Sequence, residues 1–209
     1  MSLVTNWGYT LLSAGPLSLD MLSEQDFNEL TSGKYAADSR TPRALMAAQQ
    51  AVRDFVGWHL FPAEQCEFST TLFDSRVTRM YYGFNIQLPA KFVTGITSVS
   101  VGGKTVDKYH VQTNGTLRVF CSEVLHCWDD IGVTVQYTAG LPNALMGVVR
   151  DVVASRAVHA MTNPGGIASE SAGGVSVSYS QAWISDGGAG SLTSTDAEAL
   201  RPYKLKGVF

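Results

Sequence analysis

The sequence predicts an α+β fold: a small helical bundle, with two long helices and short capped ones, packed with an antiparallel β-sheet portion and carrying extended loop and terminal arms. Three observations predict it. Apolar residues recur at helical spacing in two separated stretches, 43–56 and 145–161. Between them, from Glu67 to Thr138, the period falls to two. Two dipeptides suited to tight hairpins, Gly102-Gly103 and Asn114-Gly115, punctuate that alternating stretch. With 209 residues the chain suits one domain with appendages and buries a core without disulfide or metal. By pattern it divides into an N-terminal arm and short helix (1–40), a helix–sheet–helix core (41–163) and a hinged extension (164–209) with a short strand and a C-terminal docking helix.

Taken in order, the first nineteen residues carry no charge. They lack the positive start of a signal peptide, and Gly15-Pro16 interrupts their apolar run, so they read as a structured or docking arm. Ser23 to Leu30 is a short helix with Ser23 as cap and Asp26 at the third helical position. Thr41-Pro42 is an N-cap followed by proline at the first helical residue. The helix it opens presents Leu45, Ala48, Val52, Phe55 and Val56 on one face and Arg43, Gln50, Arg53 and Asp54 on the other, and should end near Gly57. Strands are expected at Glu67–Phe73, Met80–Leu88, Ile96–Val101, Tyr109–Thr113, Thr116–Cys121 and Gly132–Thr138. Gly140 and Pro142 close the sheet and open the second long helix. Its apolar stripe is Leu145, Val148, Val149, Val152, Val153, Ala157, Ala160 and Met161, with Arg150, Asp151, Ser155 and His159 opposite. Asn163-Pro164-Gly165-Gly166 stops it. Val175–Tyr179 alternates as a strand between glycine pairs, suited to pairing with another chain's sheet edge or to being a surface loop. Leu192–Ala197 then reads as staple residue, N-cap and capping box for a short helix ending around Pro202.

Charge is scarce. Asp, Glu, Lys and Arg make up 16% of the chain, against roughly 25% in an ordinary soluble domain. Part of the surface is therefore expected to lie against neighbours. The net charge of −3 argues against a nucleic-acid reader held by a basic face, and against a polybasic membrane anchor. Between Arg156 and Arg201 no Lys or Arg occurs, while Glu170, Asp186, Asp196 and Glu198 do. No run is long and apolar enough to be a membrane span. Three cysteines, Cys66, Cys121 and Cys127, suit a reducing compartment without a disulfide framework.

No chemistry-bearing motif stands out. Gly103-Lys104-Thr105 ends like a phosphate loop, but Ser98 stands where the first glycine is needed and the intervening residues alternate as a strand. His126, Cys127 and Cys121, with Cys66 or His59, offer soft ligands without the paired spacing of a zinc site. No Gly-x-Ser-x-Gly elbow is present. His159 reads as a surface residue, and Asp129-Asp130 as a solvated turn. Neither catalytic, cofactor nor metal residues are nominated. Trp58 and Trp128 are expected in the core. Trp183, in the glycine-hinged segment, is either an interface anchor or packed under its own loop.

The order of the pieces resembles a known family. The helix 43–55 is followed by Ile96–Gly103, Tyr109-His110-Val111, Gly115-Thr116-Leu117 and Trp128; then Val133-Thr134-Val135-Gln136-Tyr137-Thr138-Ala139-Gly140 leads into Pro142 and a helix. Ser169–Gly174 precedes Ser176-Val177-Ser178-Tyr179, and Leu192-Thr193 and Leu200-Arg201-Pro202-Tyr203 follow. This arrangement, over roughly residues 41 to 205, resembles the head-to-tail connector (adaptor) proteins of tailed double-stranded DNA bacteriophages. The resemblance implies a non-enzymatic virion protein, made in the bacterial host cytoplasm and placed in the neck between capsid and tail. It implies a homo-oligomeric ring, typically a dodecamer, that docks on the portal protein, extends the DNA channel and meets a stopper or tail-completion protein. Double-stranded DNA would pass through without specific binding. Leu200, Arg201, Pro202, Tyr203 and Lys204 become portal-contact candidates. Ser176, Val177, Ser178, Tyr179 and Trp183 become candidates for intersubunit or tail-side contact. Rival readings are another neck protein (stopper or terminator) and a small ligand-binding α+β module or enzyme.

Overall fold

The structure, a computed structural model, describes residues 3–5, 7–12, 20–112, 114–120, 131–162, 169–172, 175–178 and 192–205. In chain order the elements are β1 (Leu3–Val4), β2 (Thr10–Leu11), α1 (Glu24–Leu30), α2 (Thr41–Val56), β3 (Glu64–Thr71), β4 (Val77–Met80), β5 (Gly83–Gln87), β6 (Val93–Val101), β7 (Lys104–Thr105), β8 (Tyr109–Val111), β9 (Thr116–Phe120), β10 (Gly132–Ala139), α3 (Gly147–Thr162), β11 (Ser169–Ala172), β12 (Val175–Ser178) and α4 (Ser194–Leu200). The fold is mixed α+β, as the spacing predicts. Two compact units form, each from separated stretches: a sheet unit (1–19, 57–142, 205–209) and a helical unit (20–56, 143–204).

The sheet unit holds two antiparallel sheets, ordered β1-β2-β3-β10-β6-β7 and β4-β5-β9-β8. At the centre of the larger one β10 pairs with β3 on one side and β6 on the other. Its alternation decides which face is inside: Val133, Val135, Tyr137 and Ala139 are buried, and each such apolar side chain contributes roughly 1.5–3 kcal/mol. The intervening residues face a polar ladder, in which Gln136 donates to Glu67 (2.8 Å), Ser98 donates to Gln136 (3.2 Å) and Thr134 meets Ser69 (3.2 Å). In the smaller sheet Phe84, Ile86, Leu117 and Val119 are the buried set. Gly102 and Gly103, both at positive φ, make the two-residue turn between β6 and β7, so Gly103-Lys104-Thr105 is a hairpin and not a phosphate loop.

Gly140, the last residue of the Val-Thr-Val-x-Tyr-Thr-Ala-Gly run, is required for a different reason. A Cβ there would collide with the backbone of Ala63 and the carbonyl of Pro62. The chain therefore passes β10 against the start of β3 with no room for a side chain.

The described residues of the N-terminal arm join the sheet. Its β2 extends the larger sheet by pairing with β3, and buried Tyr9 ties it to His59, itself fully buried. His59 Nε2 lies 2.9 Å from the Ala139 carbonyl, which can only accept, so Nε2 carries the proton. Nδ1 then accepts from the Tyr9 hydroxyl at 2.7 Å. With both ring nitrogens committed internally, His59 is not a ligand in waiting.

In the helical unit α2 packs against α1, α3 and α4. Ser23 caps α1 by accepting from Asp26 N. Arg40 donates to the Met161 carbonyl at the end of α3. The same Arg40 bonds Asp38 and holds that carboxyl at about 2, below the usual carboxylate range. Gln49 accepts from Met21 N at 2.6 Å, pinning the chain that enters α1.

Several sequence expectations are corrected here. Thr41 is the first helical residue rather than the cap, and its hydroxyl donates to the Tyr35 carbonyl. Met80–Leu88 is not one strand: the chain turns at Tyr81-Tyr82, and Met80 pairs with Gly83. The β8–β9 connection is four residues, 112–115, rather than two, and within it Gln112 N donates to Thr116 O and Gly115 N donates to Gln112 O. Leu145 and Val148 are exposed, because a 3-10 turn at Asn143–Leu145 shifts the phase and Met146 takes the inward position. Arg53 and His159, assigned to polar faces, are buried, and Phe55 is only half-buried. Helices packed on several sides bury an arc wider than a single apolar stripe.

Candidate functional site

The C-terminal turn is the most clearly built of the predicted contact regions. Thr193 and Asp196 form a reciprocal capping box at the start of α4: Thr193 Oγ1 accepts from Asp196 N, and Asp196 Oδ2 accepts from Thr193 N and Oγ1, both at 2.9 Å. Such a cap contributes about 1 kcal/mol. Asp196 Oδ2 also meets Arg156 Nη2 on α3 at 2.7 Å, with the arginine side chain 2% and the aspartate 13% exposed. One carboxylate oxygen thus starts a helix and fastens it to its neighbour.

Beyond this anchor Leu200 is fully buried. Of the five portal-contact candidates it is the one that packs inward, holding α4 against the helical unit. Arg201, Pro202 and Lys204 are exposed and Tyr203 is half-buried. They follow on a 3-10 turn, Arg201–Tyr203. Arg201 lies 3.4 Å from Glu198, an exposed pair of small energetic weight. Lys204 Nζ sits 4.4 Å above the Phe55 ring, so the turn is held by packing at both ends while its outer side chains face solvent.

The second predicted region is partly described. Ser176, Val177 and Ser178 lie on β12, which pairs antiparallel with β11 of the same chain: Ser176 opposite Ser171, Val177 opposite Glu170, Ser178 opposite Ser169. One edge of the strand is therefore occupied by a hairpin partner within the chain. Tyr179 and Trp183 lie outside the described residues, as do Cys121, His126, Cys127, Trp128, Asp129 and Asp130.

Buried ionisable groups are structural in setting. Burial, and secondarily the charge of Glu64, pushes the Cys66 thiol up to about 12. Tyr137, opposite it in the sheet, is raised well above the ordinary phenol by burial first. His159 is lowered, by burial and then by Arg156. Burial is the first cause of each shift, and it keeps the Cys66 thiol and the Tyr137 phenol protonated near neutrality. Among the described residues no group of three or more His, Cys, Asp or Glu is placed to hold a metal ion, and no helix is long and apolar enough to cross a membrane.

One surface was not anticipated. At the β4–β5 turn Tyr81 and Tyr82 are 85% and 68% exposed and stack edge-on, 4.5 Å between ring centres. Phe120, opposite Gly83, and Phe73 are exposed nearby in the same sheet unit. Arg79 lies over Phe73 at 4.4 Å, and Arg118 over Phe120 at 6.0 Å. The signal available in the sequence was Gly83 directly after two tyrosines, a turn hidden inside what reads as one strand.

No family model matches the chain, and the comparison with curated proteins finds no match. Among solved structures, the chain is similar to one from a particle described as "Neck of empty GTA particle computed with C6 symmetry". That similarity has a TM-score of 0.48 at 15% sequence identity, covering 96% of this chain and 97% of the other.

Proposed function

We propose that this chain is a virion neck protein: a head-to-tail connector that forms a ring, docks on the portal protein, extends the DNA channel and links capsid to tail. The observation that carries the reading is the order of its elements. A long helix, an alternating sheet whose central strand is Gly132–Ala139, the tight crossing at Gly140, a second long helix and a capped C-terminal helix follow one another as the connector resemblance implies. The low charge content is in keeping with surface covered on assembly. The stretch from 157 to 200, free of Lys and Arg, suits a channel past which DNA must slide, because each phosphate contact adds affinity.

In this reading Arg201, Pro202 and Lys204 meet the portal, with Tyr203 beside them, and Leu200 holds the turn in place. Mass measurement of the chain with and without purified portal tests it. Portal-dependent assembly into a closed ring is expected, and attachment should be lost in an Arg201→Ser, Lys204→Ser variant whose circular dichroism is unchanged. A chain that neither binds nor assembles on the portal would sink the proposal. So would a ring map with a bore lined by lysine and arginine, for the channel part of it.

A further inference from the structure

The β4–β5 tip combines features that solvent alone does not favour. Two tyrosines stand 85% and 68% exposed on a two-residue turn, Phe120 lies across from Gly83, and Arg118 reaches the Met80 sulfur at 3.6 Å. Tyrosine and arginine are the residue types enriched where protein interfaces concentrate their energy, and guanidinium groups laid on phenyl rings keep N–H donors at their edges for carboxylates. The sheet that carries the tip is basic. Residues 73–88 and 107–120 hold Arg76, Arg79, Lys108 and Arg118 against Asp74 and Asp107, in a chain whose net charge is −3.

The rest of the chain is correspondingly acidic, and α1 is its clearest expression. Glu24, Asp26 and Glu29 are exposed there, Leu30 is 54% exposed beside them, and the last turn carries no base. Two identical basic tips repel, so a symmetric tip-to-tip contact is disfavoured. A tip meeting an acidic, leucine-bearing surface of another copy is complementary in charge and in apolar content.

We propose that the Tyr81-Tyr82 tip, with Arg79, Arg118 and Phe120, docks on the α1 surface of a second copy of this chain, as a head-to-tail contact. Contacts of this kind propagate into rings when the rotation closes. The proposal deepens the ring reading above and rests on it for closure; it does not involve the portal-facing turn.

The test places a photo-crosslinking benzoylphenylalanine at position 82 of the full chain and irradiates it over a concentration series. Intermolecular adducts to peptides within residues 20–34 are expected. No adduct between copies, or adducts confined to other parts of the chain or to added portal, overturns the proposal. Separately, Arg79→Glu with Arg118→Glu should lower the adduct yield roughly tenfold or more, and adding Glu24→Lys with Glu29→Lys should restore it. Failure of that restoration, with circular dichroism and melting temperature unchanged, also overturns it. Because Tyr81→Ser with Tyr82→Ser alters only an exposed turn, it supplies a variant that keeps its fold, and undiminished self-association by that variant counts against the tip. Portal attachment is scored independently, so failure here leaves that result readable.

Discussion

Arg156 and Asp196 meet at 2.7 Å between α3 and the first turn of α4, and the same aspartate oxygen closes the Thr193 capping box. A local helix-start signal has been joined to a buried cation 40 residues earlier in the chain. The pair therefore decides where the C-terminal turn is held, and through it where Arg201 and Lys204 face solvent.

Removing one partner should cost more than removing both. Asp196→Ala takes the carboxylate from buried Arg156 and removes the side-chain half of the capping box, and should destabilise the chain by about 3–5 kcal/mol. Arg156→Met with Asp196→Ser removes both charges while Thr193 remains the cap, and should cost distinctly less. Urea unfolding of the two variants checks the order.

Stability should depend on pH through His159. Burial and then Arg156 hold its folded value below the ordinary histidine value of about 6.5, so the unfolded chain takes up a proton first as pH falls. The stability is present above about pH 6.5 and is lost as pH drops below it toward the folded value. Unfolding midpoints measured across about pH 5 to 8 should fall less steeply on the acid side for His159→Gln than for the parent chain.

Gly140 tolerates no side chain. Gly140→Ala should destabilise by roughly 2–3 kcal/mol through overpacking against Ala63 and Pro62, whereas Gly95→Ala, with open space at the corresponding position, should cost well under that. A pair of melting curves separates them.

The Cys66 thiol, fully buried and raised to about 12, should be inert in the folded state. With Cys121 and Cys127 replaced by serine, a disulfide reagent at about pH 8 should titrate no thiol until denaturant is added. Rapid modification in native buffer would contradict the burial.

Much of the organisation was readable from the residues because it rests on short-range interactions. Ser23 with Asp26 and Thr193 with Asp196 are three residues apart, and their caps form wherever the helix does. Gly102-Gly103 makes its turn from backbone freedom alone, and the alternation in Gly132–Ala139 fixes which side chains go inward. Of the candidate site, the turn at 200–204 was legible as a place, but not which of its residues face out.

The sequence by itself determined the two long helices, the central strand, the Gly102-Gly103 turn and the C-terminal cap, because each follows from neighbours within a few residues. The tertiary structure alone decided that Arg53, Arg156 and His159 are buried, that His59 serves Tyr9 and Ala139, that Leu200 points inward, and that Tyr81-Tyr82 stand out on a turn. Those outcomes depend on how many elements pack around each position, a quantity that periodicity along one helix or strand does not contain.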